Sequence, residues 1–167
     1  MRRVVILGTS GAGKSTLARA LGEAEGLPRI DLDDLTTGTY PPIVGEGFID
    51  RVREVIGGSD WIIDGDYQKR LGDLVLSHAE VAIWLDLPLR VSLARMWRRT
   101  FNDVRSGARH LHPSLARWVA HEIRSHIRRR FTMQKRLSVH PALSVVHLRT
   151  QGEVDAWLAS RAANYLG

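Results

Sequence analysis

Hydrophobic positions along this chain alternate between two rhythms. Short, dense apolar runs, β-branched or aromatic and bounded by Gly, Pro or Asp, predict strands at Arg3–Leu7, Arg29–Leu32, Trp61–Asp64, Val81–Asp86 and Ser144–Leu148. Between them the spacing turns helical. Leu17 and Leu21 sit one turn apart, and Phe48, Val52, Val55 and Ile56 form a second stripe. Leu89, Leu93, Met96, Trp97, Phe101 and Val104 form a third and longer one. From Ser114 to Leu137 the pattern predicts a long helix in which Leu115, Val119, Ile123, Ile127 and Phe131 recur every four residues. A last helix opens at "TQGE", where Thr150 and Glu153 have capping-box spacing, and continues through Val154, Trp157, Leu158 and Ala162. Strands alternating with helices imply an α/β domain with a parallel sheet covered on both faces. In such a sheet ligands gather at the carboxyl ends of the strands.

Two stretches break this rhythm. "TTGTYPPIVGEG", residues Thr36 to Gly47, is rich in Thr, Gly and Pro, and "SGARHLHP", Ser106 to Pro113, separates two arginine-rich helices. Both read as covering segments over a site. At 167 residues and 44% hydrophobic content the chain is expected to form one domain, 1–167, with a core of its own. No apolar run approaches the roughly 18 residues a membrane span needs. Met1-Arg2-Arg3 leads into a strand-like run and not into a signal-peptide core, so a cytoplasmic protein is expected. The absence of cysteine excludes disulfides, thiolate metal sites and cysteine nucleophiles. The net charge is +6, and the basic excess is concentrated between Arg90 and Arg136. A polyphosphate substrate and a nucleic acid both fit that balance.

Candidate chemistry begins at "VVILGTSGAGKST", Val4 to Thr16. Gly8, Gly13, Lys14 and Ser15 complete the pattern G-x-x-x-x-G-K-[ST], with a predicted strand before it and a helix after it. In a chain of this size a chance match is expected roughly once in a hundred. Backbone N–H groups of a loop built from Gly8, Ser10, Gly11, Ala12, Gly13, Lys14, Ser15 and Thr16 converge on a β-phosphate at a helix N-terminus. Lys14 reaches the β/γ oxygens, and the Ser15 hydroxyl is the expected Mg²⁺ ligand.

Carboxylates come next. Asp64 closes the apolar strand of "WIIDGDY", where it can hold Mg²⁺ through water, and Asp66 follows as a second candidate. In "RIDLDDL", Asp31 and Asp33 alternate along the second strand and so share a face, with Asp34 pointing elsewhere. A carboxylate here, Asp33 above all, can orient or deprotonate an acceptor hydroxyl. Arg95 and Arg99 lie one turn apart with Arg98 beside them, and Arg117, His121, Arg124 and Arg128 form a stripe beyond the "SGARHLHP" break. Two basic helices joined by a short tip describe a lid, about residues 98–130, that closes over a triphosphate. His110 and His112 have metal-ligand spacing but no third ligand nearby in sequence.

Taken together, "GTSGAGKSTLARAL", "DLDDL", "WIIDGDY", "AIWLDLP", "RMWRRT" and "VVHLRTQGEVDAWL" resemble the adenylate-kinase-like P-loop proteins often called topology-modulation proteins. The resemblance implies a three-layer nucleoside-monophosphate-kinase fold with five parallel strands in the order 2-3-1-4-5, a lid after strand 4 and an acceptor region after strand 2. It also implies that Gly8 to Thr16 bind the donor phosphates, that Arg95 and Arg99 act from the lid, and that Arg124 and Arg128 belong to its second helix. Arg149 and Thr150 follow the last strand, where related kinases contact adenine. The chain departs from adenylate kinases after strand 3: Asp64-Gly65-Asp66-Tyr67 lacks their proline, and Arg70 is the nearest arginine. "DLDDL" resembles the Asp-x-Asp of shikimate- and gluconate-type kinases.

The expected activity is transfer of the γ-phosphate of Mg²⁺-ATP to a small-molecule acceptor, a nucleotide, nucleoside or hydroxyl metabolite. The alternative is a nucleotide-switched, nucleic-acid-associated protein, supported by the basic helices and by Trp97 and Trp118 as stacking groups. Both tryptophans, however, lie on apolar stripes that predict burial. An Asn-Lys-x-Asp guanine signature is absent.

Overall fold

The protein is described by a computed structural model, which covers residues 2–36, 45–65, 67–105 and 115–165. Five strands form a single parallel sheet: β1 (Arg3–Gly8), β2 (Arg29–Asp31), β3 (Trp61–Asp64), β4 (Val81–Leu85) and β5 (Ser144–Leu148). Their order is β2-β3-β1-β4-β5, as the resemblance implies. The helices are α1 (Lys14–Glu25), α2 (Phe48–Ile56), α3 (Gln68–Leu71), α4 (Leu74–His78), α5 (Leu89–Arg105), α6 (Leu115–Ser138) and α7 (Gln151–Tyr165). The short α3 and α4 were not expected from the apolar pattern; neither is long enough to develop a stripe.

Because side chains alternate along a strand, β1 feeds two cores. Val4 and Ile6 join Leu17, Leu21, Ile62, Ile83 and Val154 on one face of the sheet. Val5 and Leu7 join Phe48, Val52, Trp61, Ile63, Met133 and Leu137 on the other. β1, β3 and β4 are therefore apolar at consecutive positions, as strands covered on both sides must be. The helical layers that result put α1 and α7 on one face and α2 and α6 on the other.

The last helix is capped much as its sequence predicts. The Glu153 N–H donates to the Thr150 hydroxyl at 3.1 Å. The Glu153 carboxylate reaches back one residue further than a capping box requires, to the Arg149 N–H at 2.6 Å.

The stripes of α5 and α6 behave differently from expectation. Met96 is buried, but Trp97 and Phe101 are exposed, as are Ile127 and Phe131. Length is one cause: helices of 17 and 24 residues outrun strands of about five, since a helix rises about 1.5 Å per residue against 3.3 Å for a strand. Phase is the other. A repeat of strictly four residues rotates by about 40° per step, so a stripe with that spacing drifts off one face, and Ile127 and Phe131 are exposed. The face that meets the sheet carries His126, Met133 and Leu137.

Candidate active site

The loop between β1 and α1 is built as its glycines require. Gly11 and Gly13 have φ of 75° and 97°, in the left-handed region that side chains avoid. Gly13 is the N-cap of α1 and makes no side-chain cap, so the first N–H groups of the helix remain available to a ligand. Lys14 lies at the start of α1, with Nζ donating to the Thr9 carbonyl at 3.3 Å. Ser10, Ser15 and Thr16 are exposed at the loop surface, and Ala12 is buried beneath it.

Register places the acids around this loop. Asp64, the last residue of β3, pairs with Ile6 of β1 on one side and with Asp31 of β2 on the other. Its side chain is 4% exposed, and the Arg29 guanidinium stands 3.9 Å away. Arg29 binds Asp31 more closely, at 2.8 Å. Burial, reinforced by the neighbouring Asp64 and Asp33 carboxylates, pushes the Asp31 carboxyl above its ordinary range, against the pull of the Asp33 N–H and Arg29.

The alternation expected along β2 stops at Asp31. The chain turns there, with the N–H groups of Asp34, Leu35 and Thr36 donating to the carbonyls three residues before them. Asp33 is placed by that turn: its N–H donates to Asp31 Oδ1 at 3.0 Å, and its own Oδ1 accepts the Tyr67 hydroxyl at 2.6 Å. Asp31 and Asp33 are thus neighbours through an aspartate-capped turn and not through strand pleating. Asp66 lies outside the described residues, as do His110 and His112.

Arg95 reaches the loop from α5. Its Nη1 donates to the Ala12 carbonyl at 3.1 Å and its Nη2 to Gln151 Oε1 at 2.5 Å, so one guanidinium ties the phosphate loop to the start of α7. Arg99 lies one turn on, with its side chain outside the described set. Arg128 is exposed on α6. Arg149 is exposed just after β5, with Nη2 3.5 Å from His147 Nδ1. Arg124 donates to the Ala120 carbonyl of its own helix.

The structure also assembles a cluster that the apolar pattern and motifs did not single out. Asp86, just past β4, has a side chain 4% exposed; it accepts from His147 Nε2 and pairs with Arg130 Nε, each at 3.1 Å. A cleft between Gly8 and Thr9 of the loop and α6 is lined by Asp86, His126, Arg129 and Arg130. His126 Nδ1 is buried there without a partner among the described residues. Burial, assisted by Arg130, depresses the His126 pKa, against the pull of Asp86. Asp86 carries the same signal as Asp64, a carboxylate closing an apolar strand, and was legible on that ground.

The oxygen chemistry suits Mg²⁺. A buried carboxylate at Asp64 and the Ser15 hydroxyl offer hard donors. No group of three or more acidic or imidazole side chains suited to holding a metal occurs among the described residues.

Sheet order, loop and flanking helix define a P-loop fold of the nucleoside-monophosphate-kinase-like type. Solved structures share it over almost the whole chain. Shikimate kinase from Acinetobacter baumannii, in complex with shikimate, matches with a TM-score of 0.64 at 16% identity, over 99% of this chain and 93% of that one. A gluconokinase from Sinorhizobium meliloti matches with a TM-score of 0.52 at 18% identity, over 99% and 95%. Shikimate kinase from Aquifex aeolicus matches with a TM-score of 0.53 at 17% identity, over 99% of each chain. At such identities the likeness establishes the fold. No protein-family model and no curated protein sequence matches the chain.

Proposed function

We propose that this protein is a kinase that transfers the γ-phosphate of ATP to a hydroxyl of a small molecule, acting as a single domain over 1–167 with a lid within 98–130. One observation carries the reading. The acids at the ends of β2 and β3 stand in register beside a phosphate loop whose helix N-terminus is left uncapped. The fold it shares with shikimate kinase and gluconokinase supports the same conclusion. So does a pocket of about 310 Å³ lined by Gly47, Phe48, Arg53 and Arg70, on the acceptor side of the sheet where Phe48 packs against Tyr67.

Loop N–H groups and Lys14 hold the donor phosphates, and Asp33 orients the acceptor hydroxyl. As the acceptor oxygen bonds to the γ-phosphorus, its proton passes to Asp33. The bond from that phosphorus to the β–γ bridging oxygen breaks, and its electron pair leaves with ADP. Ser15 and Asp64 would hold Mg²⁺, which supplies neutralisation of the phosphate charge.

The test is to incubate purified protein with radiolabelled ATP and Mg²⁺ in the presence of shikimate, gluconate or a deproteinised metabolite extract. We expect one labelled product, and its loss in Lys14→Ala. No labelled acceptor, with ATP turnover unchanged by Lys14→Ala, would reject the reading.

A second reading, a nucleotide-switched nucleic-acid-associated protein of the topology-modulation type, is favoured by one specific observation. Phe101 and Phe131 are strongly exposed on the two arginine-rich helices, where aromatic rings can stack on bases. Under that reading DNA affinity falls steeply with salt, at a slope of several phosphate contacts, and no acceptor is labelled.

A further inference from the structure

Tyr67 is the one non-glycine residue with positive φ among the described residues, at 38°. L side chains rarely adopt this conformation, and it persists only where the surroundings impose it. Two contacts account for it here. The Tyr67 ring packs at 5.2 Å on Phe48, the fully buried first residue of α2. Its hydroxyl donates to Asp33 Oδ1 at 2.6 Å. The residue therefore joins three elements: the turn after β2, the loop after β3, and the helix that borders the Arg53–Arg70 pocket.

Asp33 is held from both directions. Its N–H donates to Asp31 and its carbonyl accepts from the Thr36 hydroxyl at 2.6 Å, so the backbone is fixed before the side chain is considered. With Oδ1 engaged by Tyr67, Oδ2 has no partner among the described residues. Burial and the adjacent Asp33 carboxylate push the Tyr67 phenol far above its ordinary pKa. It therefore remains a proton donor to Asp33 at any pH where the enzyme would work.

We propose that Tyr67 is a positioning residue for phosphate transfer: its hydroxyl fixes the Asp33 carboxylate through Oδ1 and presents Oδ2 to the acceptor hydroxyl. The role rests on the kinase reading above. It also connects occupancy of the acceptor side to the orientation of the base, because Tyr67 leans on the first residue of α2. A tyrosine with only a structural role would hold the ring contact and leave the chemistry indifferent to its hydroxyl.

Tyr67→Phe separates the two, since it keeps the ring against Phe48 and removes one oxygen. With whichever of shikimate, gluconate or water accepts phosphate, kcat should fall about tenfold, the loss of one charge-assisted hydrogen bond, with KM for ATP unchanged. In the Asp33→Asn background the same substitution should have no further effect. A separate readout needs no acceptor. Alkaline ultraviolet titration should give the same curve for wild type and Tyr67→Phe, because Tyr67 does not ionise in the ordinary tyrosine range. Asp33→Asn should lower the pH at which Tyr67 ionises, while burial still holds it above the ordinary tyrosine range.

An unchanged kcat in Tyr67→Phe overturns the positioning role and leaves the kinase reading standing. Loss of an ordinarily titrating tyrosine in Tyr67→Phe shows that the pair does not form and overturns the proposal directly. A wild-type protein that labels neither shikimate, gluconate nor any component of a metabolite extract, and whose ATP turnover is unchanged by Lys14→Ala, removes the kinase reading and the role with it, while the titration still reports on the Tyr67–Asp33 pair.

Discussion

Gly11 occupies a position where the phosphate-loop pattern accepts any residue, yet its surroundings demand glycine. A Cβ placed there would press into the Ser92 carbonyl oxygen of α5, far inside contact distance, and the backbone φ is +75°. Two costs follow for Gly11→Ala. The left-handed conformation costs a side chain about 1–2 kcal/mol. The contact is with backbone of a 3% exposed residue in the first turns of α5, which cannot swing aside as a flexible side chain would. Overpacking of this kind adds about 1–3 kcal/mol, for a total of roughly 2–5 kcal/mol. At about 2–4 °C per kcal/mol for a chain this size, the melting temperature should drop by roughly 4–20 °C. Gly26 provides the control. It has a similar φ of +65°, but nothing lies within 4 Å of the place a methyl group would take, so Gly26→Ala incurs the backbone cost alone. Thermal and urea unfolding of the two variants, side by side, isolates the packing of α5 on the loop. If Gly11→Ala is no less stable than Gly26→Ala, the close approach of α5 to the loop is wrong. ATP binding should weaken in Gly11→Ala only, because only there must the loop shift to relieve the contact.

Arg95→Lys keeps the charge but loses the fork that bonds Ala12 and Gln151 together. ATP affinity by calorimetry should weaken about tenfold, and Gln151→Ala should reproduce part of that loss; an unchanged Kd would show that the tie does not shape the loop. His126 supplies a pH test. Its folded pKa is depressed by burial, so on acidification the unfolded chain takes up the proton first, and stability is lost as pH falls through the ordinary histidine range of about 6.5 and below. His126→Gln should flatten the fall in melting temperature between about pH 7 and pH 5, and equal slopes in the two proteins would contradict the assignment.

What could be read from the sequence was whatever is encoded locally. The loop pattern, the strand before it and the helix after it lie within a few residues of one another, and β3 and β5 have the boundaries their apolar runs predict. Asp64 was legible because a carboxylate closing a buried strand carries its position with it. The Tyr67–Asp33 bond was not, because its partners are 34 residues apart and the conformation that joins them belongs to a residue type that rarely adopts it. Ser92 against Gly11 and Arg95 against Ala12 were hidden for the same reason: both depend on where α5 crosses the loop, which no periodicity specifies.

The phase of α6 shows how a pattern can be present and still mislead, and it bears on which arginines face the phosphates. Apolar residues at 115, 119, 123, 127 and 131 suggested an inner stripe, which would place Arg117, His121, Arg124 and Arg128 on a single polar face. The buried residues of the helix's second half are instead His126, Met133, Arg136 and Leu137, and Arg130 lies on the same side, bonded to Asp86. Polar residues on the inner face are what the apolar periodicity could not register. They are there because that face meets strand ends and a loop, where buried carboxylates such as Asp86 need cationic partners. Arg136 is engaged likewise, with Asp73 and the Gly72 carbonyl, each at 2.9 Å. The basic excess between Arg90 and Arg136 is therefore partly neutralised within the fold. Of the described α6 arginines, Arg129 and Arg130 line the cleft against Gly8 and Thr9, Arg130 paired there with Asp86.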